Sequence, residues 1–331
     1  MTQLYPLLLK PIFSRRPWGA RDLAPIYDVH AHPGEEPIGE AWLTGDACPV
    51  ANGPLAGRKL GELVAQFGRE LVGEAPPRGD HFPLLIKFLF PRDKLSVQVH
   101  PDDEGARRLN QPCGKTECWY VLDAEPGATI ALGLKPGATC QEFECAIRET
   151  RAEELLNVIP ISPGELYYVD AGTVHAIGPG SILVETQQNS DTTYRLYDYG
   201  RPRELHIRDG LLAMKECTCA GRIMPELCCD GERLISVSSF AVDKLVLSEP
   251  QDFRHDGASV QCLTVIGGCA VIEAAGMEPA AFARGDCIVI PATAQRFRIR
   301  PQWSVELLRA NVPGVPNLSP ETEIDNQRLA T

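Results

Sequence analysis

Residues 119–134, WYVLDAEPGATIALGL, read as two β-strands joined by an Ala-Glu-Pro-Gly turn. The same pattern of short apolar runs separated by glycine and proline continues through residues 158–200. It also fills residues 233–311, where no helical periodicity is found. The chain has 29 Gly and 28 Pro among 331 residues, which suits many short strands joined by tight turns. The sequence therefore predicts a mainly β protein.

A few helices are predicted in the N-terminal part of the chain. Residues 58–73, RKLGELVAQFGRELVG, place their leucines, Val64 and Phe67 on one face, as an amphipathic helix does. We also predict helices over residues 140–157 and 206–215. Residues 1–55 read as irregular apart from a strand around Ala41–Leu43.

The strand-rich segments fall into two blocks, which predicts two β-barrels or double-sheet jelly rolls, a group that includes cupins. Because only strand-like runs follow Cys229, we place a domain boundary near residues 220–230, with residues 1–222 as one domain and residues 223–331 as the other. The last 20 residues of the second domain are expected to be a poorly ordered tail.

The charge balance excludes several classes of protein. The formal net charge is −12, from 44 acidic and 32 basic residues, which argues against a nucleic-acid partner. No apolar run is long enough for a membrane helix, so no membrane partner is expected. The N-terminal sequence lacks a signal-peptide pattern, which predicts a cytoplasmic protein with reduced thiols. A monomer or a homodimer is expected.

The chain contains 12 cysteines, and four of them are close together in sequence: Cys217, Cys219, Cys228 and Cys229. This group could hold a metal, but its spacing matches no common zinc pattern. Buried free thiols are the interpretation that we favour.

The run LSVQV at residues 95–99 alternates apolar and polar residues, as a half-buried strand does. The alternation puts Ser96, Gln98 and His100 on one face. Burying such polar groups without partners costs about 1–3 kcal/mol each, so a metal or a polar ligand on this face would explain them.

Two further residues complete a possible metal site with His100. Glu117 precedes an aromatic strand, and His175 lies in the segment DAGTVH. Two imidazoles and one carboxylate are a common set of catalytic zinc ligands, and the same set suits non-haem Fe(II). For each of the three residues taken alone, a structural role is the interpretation that we favour. The remaining histidines, His30, His32, His81, His206 and His255, are interpreted as solvated or surface residues.

Four basic residues accompany this set: Lys87, Lys115, Arg195 and Arg201. Local cations in an acidic chain favour a small anionic substrate such as a phosphate ester. On these residues alone, however, we favour ion pairs with the many carboxylates as their role. Lys87 lies inside the apolar run PLLIKFLF and therefore needs an anionic partner.

Three segments carry a resemblance to a known family: LIKFLFPRDKLSVQVHPDD, GKTECWYVL and VDAGTVHAIGPGSILVETQQNSDTTYRLYDYGR. Together they resemble type I phosphomannose isomerase in its short bacterial form. The resemblance covers residues 5–215, and it covers the remainder only as a second, degenerate cupin barrel. It implies a metal-dependent aldose–ketose isomerase acting on a small sugar phosphate, with one Zn²⁺ per chain.

The resemblance also implies roles for individual residues. His100, Glu117 and His175 match the zinc ligands, with Gln98 as a further ligand or close neighbour. Arg195 matches an essential arginine, and Glu185 is the first candidate for the proton-transferring base, with a metal-bound water as the second. The residues implied to line the substrate pocket are Trp18, Lys87, Ser96, Lys115, Asp191 and Arg201.

The implied reaction interconverts mannose 6-phosphate and fructose 6-phosphate through an enediol or enediolate, which needs a base and a means of stabilising charge on oxygen. Two alternatives remain open. One is a cupin oxygenase that uses Fe(II) on the same ligands. The other is a non-catalytic protein that binds sugar phosphates.

Overall fold

The computed structural model describes residues 3–74, 81–111, 113–228 and 231–313. Cys229 and the part of the predicted C-terminal tail after residue 313 lie outside these residues. The described chain is mainly β, with strands in three sheets and short helices between them. The strands are β1 (Leu7–Leu9), β2 (Ile12–Ala20), β3 (Ile38–Trp42), β4 (Leu84–Leu89), β5 (Val97–Val99), β6 (Glu117–Ala124), β7 (Thr129–Leu134), β8 (Leu156–Pro160), β9 (Leu166–Val169), β10 (His175–Ile177), β11 (Ser181–Gln188), β12 (Tyr194–Tyr197), β13 (Gly221–Ile223), β14 (Glu226–Cys228), β15 (Gly231–Ser236), β16 (Ala241–Leu247), β17 (Gln251–Arg254), β18 (Gln261–Ala274), β19 (Ala280–Ala283), β20 (Cys287–Ile290) and β21 (Arg296–Asn311).

Five α-helices connect or cover these strands: α1 (Leu60–Phe67), α2 (Arg69–Val72), α3 (Asp103–Arg108), α4 (Cys140–Arg148) and α5 (Ile207–Ala213). No helix in the described residues has the length and apolar character that crossing a membrane requires.

Two antiparallel sheets form the N-terminal sandwich, which we define as strands β2 to β13. One sheet has seven strands in the order β13-β9-β6-β11-β4-β3-β2, and the other has five in the order β12-β5-β10-β7-β8. Their facing sides pack through a shared apolar cluster that includes Trp119, Leu183, Ile130 and Ile177. Helices α4 and α5 cover the outer face of the five-stranded sheet, where Phe143 packs in a second cluster.

The C-terminal sheet has nine strands, with β1-β20-β18-β21-β16-β15-β14 as its main path and β17 and β19 attached to β21 and β18. Its long strands β18 and β21 bend where their register shifts. Gly268 lies at this point with φ of 72°, and a Cβ there would come within 2.0 Å of the Ser304 carbonyl oxygen. Glycine is therefore required at this bulge.

A continuous apolar core joins the N-terminal sandwich to the C-terminal sheet. Phe88 and Val184 of the seven-stranded sheet belong to the same cluster as Val242 and Leu308 of the C-terminal sheet. This packing covers the second face of the central strands, so every residue of β4 and β11 is buried. The prediction of a mainly β jelly-roll protein is confirmed, although the described sheets are open rather than closed barrels.

The boundary predicted near residue 222 stays a prediction. Strand β13 pairs with β9 of the sandwich, whereas β14 pairs with β15 of the C-terminal sheet. However, β1, from the start of the chain, pairs with β20 of the C-terminal sheet. The shared core and this exchanged strand show that the two sequence blocks are closely integrated.

The N-terminal segment was predicted to be mostly irregular, and this prediction is wrong for β1 and β2. Strand β2 lies at the edge of its sheet, where Pro17 is tolerated and few side chains are buried. A strand in such a position need not alternate apolar and polar residues, so its sequence did not predict a strand.

The predicted helices also need correction at their ends. The helix over 58–73 is divided by Gly68 into α1 and α2. The helix over 140–157 ends at Arg148, because Thr150 adopts a positive φ of 59° and Leu156 pairs with Leu134 in a sheet. Helix α5 confirms the third prediction. The short helix α3, capped by the Asp102 side chain, was not predicted.

Candidate active site and metal centre

His100, Glu117 and His175 come together between the two sheets of the sandwich. His100 follows β5 and His175 begins β10, both in the five-stranded sheet, whereas Glu117 begins β6 in the facing sheet. The alternation predicted for residues 95–99 explains the placement, because Val97 and Val99 pack under the helices. Ser96 and Gln98 of that run, and His100 directly after it, face the opposite side of the sheet.

The three side chains are arranged as metal ligands. Their donor atoms all lie within 4.8 Å of one another, and each residue is at most 1% exposed. Glu117 Oε2 is 3.6 Å from His100 Nε2, and Glu117 Oε1 is 3.5 Å from His175 Nε2. Two ligands bound at about 2.0–2.1 Å in a tetrahedral site would be about 3.3–3.4 Å apart, so the three residues fit a single ion.

Backbone hydrogen bonds fix both imidazoles with Nε2 toward the common centre. His100 Nδ1 is 2.9 Å from the Thr192 carbonyl oxygen, and His175 Nδ1 is 2.9 Å from that of Thr173. A carbonyl only accepts, so each Nδ1 carries the hydrogen and each Nε2 keeps its lone pair. Metal-binding histidines are commonly held in this way.

Burial keeps both imidazoles neutral, which is the form that binds a metal. Desolvation lowers the pKa of His100 well below its usual value and that of His175 to about 4. Desolvation also raises the pKa of Glu117, and the nearby Lys115 ammonium opposes this effect. Neither oxygen of the Glu117 carboxylate has a well-aligned hydrogen bond, although Lys115 Nζ lies 2.7 Å from Oε2. A cation at this position would satisfy the buried carboxylate.

Gln98 borders the three ligands, since it pairs with His175 across the sheet. Its Nε2 lies 3.2 Å from His175 Nε2, and its Oε1 accepts a hydrogen bond from Ser96 Oγ at 3.3 Å. In this orientation Gln98 donates to His175 and is a close neighbour of the ligand set. Its oxygen would have to turn toward the centre for Gln98 to become a ligand.

Two buried lysines, Lys87 and Lys115, and Glu185 also border the ligand set. Lys87 Nζ is 3.3 Å and Lys115 Nζ 3.6 Å from Glu185 Oε1, and Lys115 Nζ is also 3.1 Å from His100 Nε2. Glu185 is thus the anionic partner that Lys87 was expected to need, and the two residues are paired across β4 and β11. Burial alone would raise the pKa of Glu185, but the charges of Lys115 and Lys87 outweigh it and lower that pKa.

A cavity of about 420 Å³ opens above this buried group. Most of the predicted substrate and catalytic residues line it: Trp18, Lys87, Ser96, Gln98, Lys115, Glu185, Asp191 and Arg195. Lys115, Gln98 and Glu185 both line the cavity and adjoin the ligand set. The three ligands are therefore in contact with residues of the cavity wall.

Arg195 reaches the cavity from β12, where it pairs with Gln98 of β5. Its Nη1 donates to the Glu204 carbonyl oxygen at 2.9 Å, and its buried Nε has no hydrogen-bond partner in the described residues. Burial, followed by the charge of Arg203, lowers the pKa of Arg195. The guanidinium thus has unused donors and an uncompensated charge beside the metal-ligand group.

Arg201 is not among the described residues that line the cavity. Its guanidinium donates to Asp198 and, at 2.7 Å, to the Lys94 carbonyl oxygen, and lies 3.4 Å from Asp93 Oδ2. The neighbouring Arg203 lines the cavity instead. The substrate-binding role expected for Arg201 has no support from this geometry.

Sequence reasoning missed several charged residues of the cavity wall: Arg15, Arg16, Glu36, Glu40 and Arg203. Arg16 donates to both oxygens of Glu40 at 3.1 and 3.2 Å, and Trp42 Nε1 donates to Glu40 Oε2 at 2.6 Å. Arg15 and Arg16 belong to the edge strand β2, whose lack of alternation hid them. The contact between Arg16 and Glu40 could have been predicted only if β2 had been recognised as a strand that pairs with β3.

The remaining candidate residues have other environments. Cys217, Cys219 and Cys228 are exposed, so the interpretation of buried thiols is wrong for them. His30, His32 and His81 are exposed as expected, and His206 is half-buried. His255 was interpreted as a surface residue, but it is 5% exposed and its Nδ1 accepts a hydrogen bond from the Gly257 N–H.

Known proteins share this sequence and fold. The family model for the type I phosphomannose isomerase catalytic domain matches residues 7–140. Mannose-6-phosphate isomerase ManA of Bacillus subtilis is 36% identical over 310 residues, which cover 89% of this chain and 95% of that protein.

Solved structures agree with this match. The crystal structure of mannose 6-phosphate isomerase from Bacillus subtilis is 32% identical, with a TM-score of 0.82 over 92% of this chain and 99% of that chain. A mannose 6-phosphate isomerase bound with zinc and yttrium is 17% identical and shares the fold, with a TM-score of 0.72 over 93% and 99% of the two chains. On these findings, the chain belongs to the type I phosphomannose isomerase family of aldose–ketose isomerases.

Proposed function

We propose that the protein interconverts mannose 6-phosphate and fructose 6-phosphate with one zinc ion held by His100, Glu117 and His175. The observation that carries this proposal is the convergence of these three buried donors beside a cavity lined by cations. Membership of the isomerase family agrees with it.

Zinc is proposed because the set of two imidazoles and one carboxylate suits it, and because a protein of the same fold is described with zinc bound. When bound, such an ion supplies Lewis acidity that stabilises negative charge on sugar oxygens. Gln98 is next to the three ligands, and we propose that it either orients His175 or is itself a further ligand of the ion.

Glu185 is the proposed base that moves the proton between C1 and C2. A base must be ionised at the working pH, and the two lysines that lower the pKa of Glu185 keep it so. Its Oε1 is buried without a hydrogen bond in the described residues, and the residue lines the cavity. The carboxylate is therefore held in place by the two lysines at the wall of the cavity.

Arg195 is the proposed electrostatic catalyst. Its position opposite Gln98 places it next to the ligand set, and its Nε and Nη2 are free to donate to developing negative charge on the sugar. A positive group that is already fixed needs little reorganisation when charge develops.

The proposed substrate-binding set comprises Trp18, Lys87, Ser96, Lys115 and Asp191. Arg201 is left out because it contacts Asp93, Lys94 and Asp198 away from the cavity lining. Catalysis is assigned to a domain of residues 1–222, with residues 223–331 as the second unit. We further propose a cytoplasmic monomer or homodimer.

The activity is tested with purified protein and mannose 6-phosphate in an assay coupled to fructose 6-phosphate formation. We expect turnover that is lost after treatment with EDTA and restored by zinc. Absence of turnover in folded, zinc-loaded protein would reject the proposal. Substrate-dependent oxygen consumption with Fe(II) would instead support the oxygenase alternative.

The enediol route is tested by running the same reaction in D₂O. Proton transfer through an enediol exchanges the moving hydrogen with solvent at least in part, so NMR should detect deuterium at C2 of mannose 6-phosphate or C1 of fructose 6-phosphate. Complete retention of the original hydrogen, which a direct hydride shift requires, would contradict this expectation.

A further inference from the structure

The cations of the cavity differ in how they are paired. The lining contains six cations, Arg15, Arg16, Lys87, Lys115, Arg195 and Arg203, and four carboxylates, Glu36, Glu40, Glu185 and Asp191. This gives two excess positive charges in a chain whose formal net charge is −12. A sugar phosphate carries up to two negative charges at neutral pH, so the location of the excess indicates where its phosphate binds.

The inner lysines do not carry this excess. Lys87 and Lys115 have side chains that are at most 5% exposed, and both contact Glu185. Lys115 also contacts Glu117 at 2.7 Å. A phosphate beside these lysines would meet two buried carboxylates, and like charges at short range in a buried site repel strongly.

The excess lies around Asp198, whose partner Arg203 lines the cavity. This buried carboxylate binds two guanidinium groups, those of Arg201 and Arg203, and Arg195 lies near them without an ion pair in the described residues. Arg201 also lies 3.4 Å from Asp93 Oδ2, so two carboxylates serve a cluster of three arginines. Because like charges in such a cluster repel, an anion bound there would be stabilised.

Arg203 is the member of this cluster that is both fixed and open to the cavity. Its Nε and Nη2 each donate to Asp198 at 2.6 Å, which fixes the guanidinium plane. Its Nη1 makes no hydrogen bond within the described part of the chain, and its side chain is 23% exposed. A guanidinium that presents spare donors in a fixed plane suits the oxygens of a phosphate.

Arg16 supplies a second fixed cation on the cavity wall. Glu40 holds it through two hydrogen bonds, and its side chain is 30% exposed, against 4% for Lys87. We propose that Arg203, held by Asp198, and Arg16, held by Glu40, bind the substrate phosphate in the cavity. This assignment rests on the proposed function and places the phosphate at the more exposed cations of the cavity rather than beside the buried lysines.

The test compares Arg203→Gln with Arg201→Gln, a matched control because Arg201 binds the same Asp198 carboxylate but does not line the cavity. Loss of a charged hydrogen bond to phosphate should raise the KM for mannose 6-phosphate and the inhibition constant of inorganic phosphate about 10- to 100-fold in Arg203→Gln. The kcat should stay within about threefold, since the contact is made equally in ground and transition states. Arg201→Gln should change each constant by less than about threefold.

Arg203→Lys and Arg16→Gln complete the series. The lysine keeps the charge but not the planar fork, so the phosphate constants should lie between those of the wild type and Arg203→Gln. Arg16→Gln should raise the same two constants in the same direction. Thermal unfolding of each variant checks that it is folded.

Three results would overturn the phosphate site: unchanged constants in Arg203→Gln, an equal effect of Arg201→Gln, or a fall in kcat at constant KM. Binding of inorganic phosphate is measured separately by calorimetry on the zinc-loaded protein. If the wild type binds phosphate and Arg203→Gln does not, the phosphate site stands even if mannose 6-phosphate is not isomerised. In that case only the proposed function fails.

Discussion

The N-terminal sandwich and the C-terminal sheet have similar β architecture but different interiors. The space between the two sheets of the sandwich holds His100, Glu117 and His175, with Lys115 and Glu185 beside them. The interior cluster of the C-terminal sheet consists of residues such as Leu263, Phe253 and Ile299. In the described residues, the sandwich holds the one group of three close potential metal ligands. A few inward-facing positions, rather than the fold itself, therefore decide where chemistry can occur.

The strongest way to break this comparison is to remove a ligand. His175→Ala should lose bound metal and reduce turnover on the order of 10³-fold, because the Lewis acid contributes several kcal/mol to the barrier. Metal content is measured by elemental analysis and turnover by the coupled assay. His255→Gln, a change at a buried histidine of the C-terminal sheet, is the control and should keep both. A His175→Ala protein that lost its metal but kept full activity would refute the role of the metal.

The next effect is expected at Arg195. Arg195→Gln should keep metal and fold but lower kcat about 10²-fold, the usual loss when one donor to developing charge is removed. Arg195→Lys should recover part of the rate because it keeps the charge. Steady-state kinetics and metal analysis on the same samples check this prediction, and near-normal kcat in Arg195→Gln would contradict it.

A core truncation in the C-terminal sheet should show the opposite pattern. Leu263→Ala removes a residue that is 1% exposed and should lower the free energy of unfolding by about 2–5 kcal/mol. Metal content and kcat at 25 °C should be unchanged while the protein is folded. Urea unfolding measures the first quantity and the coupled assay the second. A fall in kcat without unfolding would show that the C-terminal sheet contributes directly to the site.

The smallest effect concerns pH. Desolvation lowers the pKa of His255 below its unfolded value, so the folded state favours the neutral imidazole. As the pH falls below about 6.5, the unfolded chain binds a proton at this histidine before the folded protein does. The free energy of unfolding therefore decreases from about pH 6.5 until the pH reaches the lower pKa of the folded state. His255→Gln should therefore lose less stability than the wild type between pH 7.5 and 5, as measured by urea unfolding. An identical pH dependence in the two proteins would contradict this assignment.

Much of the architecture could be predicted from local patterns. Alternation in LSVQV placed Ser96, Gln98 and His100 on the interior face, and the absence of helical periodicity after residue 233 identified the C-terminal sheet. Such patterns are local properties of the chain. They fail where a strand lies at an edge, as for β2, or where tertiary pairing ends a helix, as at Leu156.

The site could be predicted only in part, because convergence is a tertiary property. Strand alternation, residue type and the family resemblance indicate His100, Glu117 and His175, whereas their proximity depends on how two sheets face each other. Arg201 and Arg203 lie two residues apart in the segment RPR, and the sequence alone does not show which of them reaches the cavity. Their hydrogen bonds to Asp198 and the lining of the cavity distinguish the two roles. The pair of Arg16 and Glu40 depends on the register of β2 against β3.

The central claim is that isomerisation depends on one metal ion in the buried ligand set. The most direct measurement is a titration of metal-stripped protein with Zn²⁺, with bound zinc and turnover of mannose 6-phosphate recorded in the same samples. The account predicts that activity rises in proportion to bound zinc and stops rising at one equivalent per chain. Full activity in the metal-free protein, or binding of one equivalent without any gain in activity, would contradict it.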